Sequence, residues 1–444
     1  MSVPTAPAPA GFNPGFNTAT AHRPDLVVRA ASPADVVDAV RSARETGRKV
    51  AVVATGHGAG PTGPGTVLVD TSGLADVSID PVARTATVGA GATWQQVLDA
   101  AAPFGLGGLA GSSPGVGVVG YTLGGGLGPV ARTFGLAVDH VLALDVVTAD
   151  GAARRVDATT EPELFWAIRG GGAAFGLVTG LTMGLVGVRE LYGGGLWFSA
   201  DVARTVLHAW RDWAATLPDS VTTSLARLNL PPAPELPEPL RGRPVVHVRV
   251  AHVGDPAEGE RLVAPLRAAA TPLLDGLGVL PYAALGAVHA DPTSPMPVHE
   301  RGTLLADLPP AAVEAFADVT SPAAGLPIVM AELRLLGGAV GRAPAVPSAA
   351  AGRDAAFTLY SLGVLAPPIA DAVPGAVDAV LDRLGPWSTG GAMPNFAGPP
   401  DAVASTRVRR AFGPDTVARL DALRAALDPR DLFAPAARWT GARS

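Results

Sequence analysis

A chain of 444 residues, 48% hydrophobic and 16% charged with a mean hydropathy of +0.30, has enough apolar material for two domains and is not a disordered chain. The absence of cysteine excludes disulfides, thiolate metal sites, iron–sulfur clusters and cysteine nucleophiles. A formal charge of -6 without a Lys/Arg block gives no electrostatic reason to expect nucleic acid or an anionic membrane as a partner.

No stretch of eighteen apolar residues runs free of charge, Gly or Pro, so no membrane-spanning helix is expected and the partner is expected to be a small molecule. Residues 1–19, beginning MSVPTAPAPAG, have no basic n-region and no apolar h-region. They read as a disordered Pro/Ala tail, which makes a cytoplasmic location the expectation. Leu26-Val27-Val28 leads into Ser32-Pro33-Ala34-Asp35, a helix start with a capping serine and proline in the first turn. Val36, Val37, Val40 and Ala43 form its apolar stripe, and Gly47 stands where a left-handed terminal residue is wanted. Val50 to Ala54 reads as a buried strand ending in the turn Thr55-Gly56-His57-Gly58-Ala59-Gly60, with a further strand from Thr66 to Asp70.

Residues 84–89 alternate as a strand does, and Thr93 caps a helix through Trp94, Val97 and Leu98. From Gly105 to Gly128 glycine is too dense for turns alone, which predicts a backbone lying close to a ligand. Val141 to Thr148 predicts a strand closed by Asp150-Gly151, and Thr160 caps a helix through Leu164, Phe165, Trp166 and Ile168 that ends at Gly170-Gly171-Gly172. Beyond about residue 190, helices (Ala200 to Leu217, Ala257 to Ala269, Pro310 to Val319) alternate with strands (Val245 to Val250, Ile328 to Leu336, Ala355 to Val364). The Pro-rich stretch 231–240 is a loop, and a last helix from Pro414 to Leu427 ends at Asp428-Pro429.

A histidine between glycines directly after a buried strand is placed to meet a ligand, because Gly56 and Gly58 let backbone N–H groups converge on a phosphate. Alone, this is also the pattern of an exposed loop histidine. Neither glycine cluster ends in the Gly-Lys-Ser/Thr of a Walker loop, and neither opens a helix as a dinucleotide-binding GxGxxG does. The eight histidines show no metal-ligand spacing, so no metal is expected.

Together these blocks carry a resemblance. Arg23-Pro24-Asp25-Leu26-Val27-Val28, the Gly-His-Gly turn, the segment Ser113-Pro114-Gly115-Val116-Gly117-Val118-Val119-Gly120-Tyr121-Thr122-Leu123-Gly124-Gly125-Gly126, Phe134-Gly135-Leu136, and Glu163-Leu164-Phe165-Trp166-Ala167-Ile168-Arg169-Gly170-Gly171-Gly172 follow one another in a fixed order. So do Glu332-Leu333-Arg334, Asn395-Phe396 and Asp428-Pro429-Arg430-Asp431-Leu432-Phe433. The chain resembles the FAD-linked oxidases of the vanillyl-alcohol-oxidase and berberine-bridge-enzyme superfamily, with a PCMH-type FAD-binding domain, and among them the bacterial hydroxynicotine oxidase-like flavoenzymes.

The resemblance implies an α+β fold of two domains: an FAD domain over residues 20–190, a substrate-binding domain over 191–395 whose antiparallel sheet covers the flavin, and a segment 396–444 that returns to the first. It implies FAD as cofactor, bonded covalently through His57. Ser113 stands where many members carry a second, cysteinyl link, so the link is expected to be single. Val53-Ala54-Thr55 replaces the usual Arg-Ser-Gly, which leaves the pyrophosphate to the backbone of Val53, Ala54, Thr55, Gly56, His57 and Gly58. Ser112, Ser113, Pro114, Val116, Gly117, Gly120, Tyr121 and Gly125 are expected to line the flavin and ribityl chain, and Gly176, Leu177 and Val178 the adenine. Asn395 is expected beside the isoalloxazine.

Tyr121 takes a position that is commonly His, with a hydroxyl expected near the ribityl or pyrimidine side. Val116, at the family's oxygen-gating position, favours an oxidase using O2. For the base that removes an O–H or N–H proton, Tyr360 is the first candidate and Glu332 the acidic one, with Tyr121, Tyr192 and Tyr282 the remaining tyrosines. His289 is a candidate substrate contact. The implied reaction is hydride transfer from an alcohol or amine C–H of a small molecule such as a secondary metabolite, by a monomer or homodimer. A dehydrogenase with another acceptor, a flavin-containing cyclase without net redox and a flavin carrier without activity share these motifs.

Overall fold

A computed structural model describes residues 5–6 and 15–433, and carries three sheets. The helix Pro33–Thr46 begins in the expected way: the Ser32 hydroxyl accepts from the Asp35 amide, the Asp35 carboxylate accepts from the Ser32 amide, and Gly47 closes it at φ 67°. It packs on the strands Leu26–Arg29, Thr66–Asp70 and Lys49–Val53, which lie parallel in that spatial order, with Thr5–Ala6 antiparallel at the edge. The second sheet is antiparallel, in the order Val77–Asp80, Thr85–Gly89, Leu177–Gly184, Val141–Val147, Ala153–Asp157. The helix expected to start at Thr160 is Pro162–Gly171, and its cap is Glu161 at φ 53°. Thr160 is held in the preceding turn, where the Asp157 carboxylate accepts from both the Thr159 and Thr160 amides.

The third sheet is the largest and antiparallel, running through Leu274–Asp275, Glu190–Ser199, Pro244–His252, Val221–Asn229, Met330–Leu335, Phe357–Val364 and Val298–Leu305, with Gly278–Pro281 also pairing Glu190–Ser199. Strands Glu190–Ser199, Val221–Asn229 and Val298–Leu305 were not anticipated from the sequence. One face packs against the helices Ala203–Ala214, Pro310–Val319 and Val373–Arg383, burying Trp210, Phe316, Val377 and Leu359 in a core separate from that of the first two sheets. The other face looks toward the first two sheets.

Beyond Ala392 the chain packs back into the first core through Ala397, Ala404, Val408, Phe412, Leu420 and Phe433. The last described residues dock on the Lys49–Val53 strand, where the Val50 amide donates to the Leu432 carbonyl at 2.8 Å. Asp428, buried, accepts from the Leu432 and Phe433 amides at 2.7 and 2.9 Å. Replacing Asp428 by Ala orphans two buried N–H groups, and a loss of roughly 1–3 kcal/mol for each is expected in urea unfolding.

Of the expected N-terminal tail, residues 1–4 and 7–14 lie outside the described residues. Residues 16–18 are seated on the edge of the third sheet: Met296 exchanges backbone hydrogen bonds with Phe16 and Thr18, and the Asn17 amide bonds both the Val298 carbonyl and the Val298 N–H. Among the described residues no helix is long and apolar enough to cross a membrane.

Candidate functional site

Between the parallel sheet, the glycine-rich segment and the free face of the third sheet lies a cavity of 1360 Å³. That exceeds the ~300–1,000 Å³ typical of a pocket for one small ligand, so it has room for a cofactor and a substrate together. Its first wall is the turn after Lys49–Val53. Gly56 adopts φ 64°, and His57 projects into the cavity with its ring 4.7 Å from that of Phe16. Surrounding protein desolvates the imidazole and lowers its pKa, with Glu300 and Asp291 acting in the opposite sense. The ring is therefore held neutral.

The second wall is the glycine-rich segment. The Thr55 hydroxyl accepts from the Gly117 amide at 3.2 Å, joining the two glycine clusters that the sequence separates by sixty residues. From Val118 to Leu123 the segment forms a short helix, and Gly124 follows. A Cβ on Gly124 would lie 1.8 Å from the Asn395 Oδ1, so only glycine admits that side chain, whose Nδ2 donates to the Tyr121 carbonyl at 2.8 Å. Gly124→Ala is expected to break this bond and lower stability by about 1 kcal/mol or more, read as a fall in the urea midpoint; an unchanged midpoint would contradict the contact. Tyr121 buries its hydroxyl without a hydrogen-bond partner among the described residues, and burial raises its pKa, so the phenol stays protonated.

The third wall is the sheet. Residues at every second position of each strand face the cavity, so the pairing register lays them out in rows. Leu228, Met330, Leu362 and Glu300 stand opposite one another in one row, and Ala226, Glu332, Tyr360 and Gly302 in the next. The Tyr360 hydroxyl donates to the Glu300 carboxylate on the diagonal between the rows. Burial, then the Glu300 charge, pushes the Tyr360 pKa well above its ordinary value, with Arg334 opposing. A Cβ on Gly302 would meet the Phe396 carbonyl at 2.3 Å, so this glycine lets the C-terminal segment cross directly over the strand and bring Asn395 and Phe396 to the cavity.

Glu332 stands on the cavity face of the sheet but is 0% exposed and absent from the described lining, covered by Arg249, Arg334 and His289, which do line the cavity. Its carboxylate accepts from Ser224 at 2.7 Å, Arg249 at 2.5 Å and Arg334 at 2.8 Å. Burial pushes its pKa up, but Arg334 and Arg249 outweigh it and hold the group at about 2. His289, 5% exposed on the cavity lining, has neither ring nitrogen hydrogen-bonded among the described residues, its Nε2 lying 3.6 Å from the Glu332 carboxylate, and burial with the two arginines lowers its pKa.

Of the residues singled out in the sequence, Val53, Ala54, Thr55, Gly56, His57, Gly58, Ser112, Ser113, Val116, Gly117, Gly120, Tyr121, Leu177, Val178, His289, Tyr360 and Asn395 line one cavity. Pro114 packs at Gly286 instead, while Gly125 at φ 112° and Gly176 at φ 156° turn the chain behind the lining. Tyr192 and Tyr282 are buried elsewhere, bonded to Arg267 and to the Gly108 carbonyl. The sequence reading missed Phe16, Gly170, Trp197, Arg249, Glu300 and Arg334, all on the lining.

These residues fit FAD. Two Gly segments expose backbone along one side of a long cavity, a Cβ at Gly120 would meet nothing within 4 Å, and the buried Tyr121 hydroxyl has no hydrogen-bond partner among the described residues. Residues 24–157 match the FAD binding domain family. The chain is 31% identical over 279 residues to (R)-6-hydroxynicotine oxidase of Paenarthrobacter nicotinovorans, covering 61% of this chain and 58% of that one; it thus spans little more than half the length of this curated relative. The crystal structure of 6-hydroxy-D-nicotine oxidase from Arthrobacter nicotinovorans superposes with a TM-score of 0.84 at 25% identity, over 99% of this chain and 98% of that one. Glucooligosaccharide oxidase from Acremonium strictum, whose FAD is 6-S-cysteinyl and 8α-N1-histidyl, shares the fold with a TM-score of 0.79 at 20% identity, over 94% of this chain and 92% of that one.

Proposed function

Since the chain belongs to the FAD-linked oxidoreductases of the vanillyl-alcohol-oxidase and berberine-bridge-enzyme type, we propose that it oxidises an alcohol or amine carbon of a small molecule, with O2 as the final acceptor. The observation that carries this reading is the Tyr360–Glu300 pair, which faces the same cavity as His57 and Asn395.

Bound FAD supplies the two-electron acceptor for the substrate's hydride. A neutral alcohol or amine is a poor hydride donor, so its O–H or N–H proton must leave as the C–H bond breaks. Tyr360 takes that proton and passes its own to Glu300. This relay suits a phenol kept protonated by burial better than direct removal by a tyrosinate does, because the negative charge ends on a carboxylate. Glu332, already held between two guanidinium groups, is the counter-ion that keeps Arg249 and Arg334 in place.

His57 is the proposed single covalent anchor. Its lowered pKa leaves a ring nitrogen lone pair free to bond to carbon, and Ser113 gives the opposite wall no thiol for a second link. The backbone of Thr55 to Gly58 is the proposed pyrophosphate cradle, and Val116, on the lining, is the proposed oxygen-gating residue. A cytoplasmic location and a role in secondary metabolism belong to the same reading.

Anaerobic mixing of the flavin-loaded protein with a panel of alcohols and amines tests this. The expected result is bleaching of the flavin absorbance, restored by air with one H2O2 formed per substrate oxidised. Bleaching that air does not restore would replace the oxidase by a dehydrogenase. Conversion of substrate without bleaching would replace it by a cyclase.

A further inference from the structure

We infer that the substrate is a single-headed apolar molecule, with an elongated polycyclic or prenyl-like body and its reacting hydroxyl or amine at one end, and is not a saccharide. The inference rests on the proposed chemistry only in taking the Tyr360–Glu300 pair as the reacting end. Starting at Glu300, the next residues along the row are Leu362, Met330 and Leu228, one on each successive strand. Three strand spacings of ~4.8 Å make this an apolar track of roughly 14 Å leading away from the pair.

The track is roofed at its far end by the Pro-rich loop, whose Leu230, Leu236 and Leu240 share the cavity lining with Trp197. One face of Trp197 is stacked on His247 at 3.6 Å with an interplanar angle of 10°, which fixes the indole. The loop is pinned by Arg241, whose guanidinium donates to the Leu236 and Pro234 carbonyls. Among the described residues of this loop and row, the polar side chains on the lining are Asn229, Glu235 and Glu300, and Asn229 already donates to the Ile328 carbonyl. A saccharide carries a hydroxyl on almost every carbon. Each one buried along this track without a partner would weaken binding, whereas a hydrocarbon body gains by leaving water in proportion to its apolar area.

Calorimetric titration of the flavin-loaded protein with benzyl alcohol, 4-biphenylmethanol and cellobiose tests the inference without requiring turnover. The biphenyl compound is expected to bind at least tenfold more tightly than benzyl alcohol, with no heat of binding from cellobiose. Met330→Gln, which puts an amide in the middle of the track at nearly constant size, is expected to weaken 4-biphenylmethanol at least fivefold more than benzyl alcohol. Equal affinity for the two aromatic alcohols, or saturable binding of cellobiose, would overturn the inference. Anaerobic bleaching separates it from the proposed chemistry: tight biphenylmethanol binding without bleaching by any alcohol or amine would sink the chemistry and keep the apolar track. Bleaching by cellobiose would do the reverse.

Discussion

Tyr360→Phe is expected to lower kcat by about 10²–10⁴-fold, the usual worth of a positioned proton-transfer group, while the protein keeps its full complement of flavin. The phenyl ring of the variant still fills the space beside Phe396, against which Tyr360 packs edge-on at 5.7 Å. What it removes is the hydroxyl between substrate and Glu300. Glu300→Gln should cause a loss of similar size, since an amide cannot take the relayed proton. The double variant should be little worse than either single one, because two members of one relay fail as a unit. Losses that multiply would mean that the two residues act separately. An active Tyr360→Phe protein would remove the pair from the chemistry altogether.

Glu332→Gln is expected to act on stability instead. In the native protein one buried carboxylate serves two buried guanidinium groups, with side chains 3% and 11% exposed. Removing the shared anion leaves two cations in a low-dielectric sheet. Breaking a buried ion pair in this way costs about 3–5 kcal/mol, which should appear as a large fall in the urea midpoint at unchanged slope. The pH dependence carries its own signature. Glu332 has a folded pKa of about 2, below its ordinary 4.5, so its stabilisation is full above that ordinary range and is lost as the pH falls from about 4.5 through about 2. The Gln variant should lack that part of the acid unfolding curve. An unchanged midpoint in the variant would show that the arginines have found other partners.

The three parallel strands of the first sheet, and Thr85–Gly89 and Val141–Val147 of the second, were legible because their signals are local, whereas Val77–Asp80, Ala153–Asp157 and Leu177–Gly184 were not anticipated. Ser32 with Asp35 and Thr93 with Gln96 are capping boxes that need no knowledge of the rest of the chain, and the Gly-His-Gly turn follows its strand directly. Thr160 misled because Asp157, three residues earlier, competes for the same backbone amides. The substrate-side sheet was harder to read for a different reason. In Val298–Leu305 the chain places Glu300 on the cavity face and Arg301 on the opposite one, where it pairs with Asp401. Charges on both faces erase the alternation by which a strand is recognised. Glu300 therefore became a candidate only when the register set it diagonal to Tyr360. Glu332 was the more conspicuous acid in the sequence, yet its place in the wall is decided by Arg249, more than eighty residues away, which no local pattern reveals. Asn395 was found through the family resemblance, and the physical reason for its position, the close approach at Gly124, is visible only in three dimensions.

The central claim is that one cavity holds FAD by a single bond at His57, and acid denaturation of the purified protein tests it most directly. The account predicts that flavin colour stays with the unfolded polypeptide, maps to the peptide containing His57, and is lost from the polypeptide in His57→Ala. Flavin released intact from the parent protein, or found on any other peptide, would contradict it.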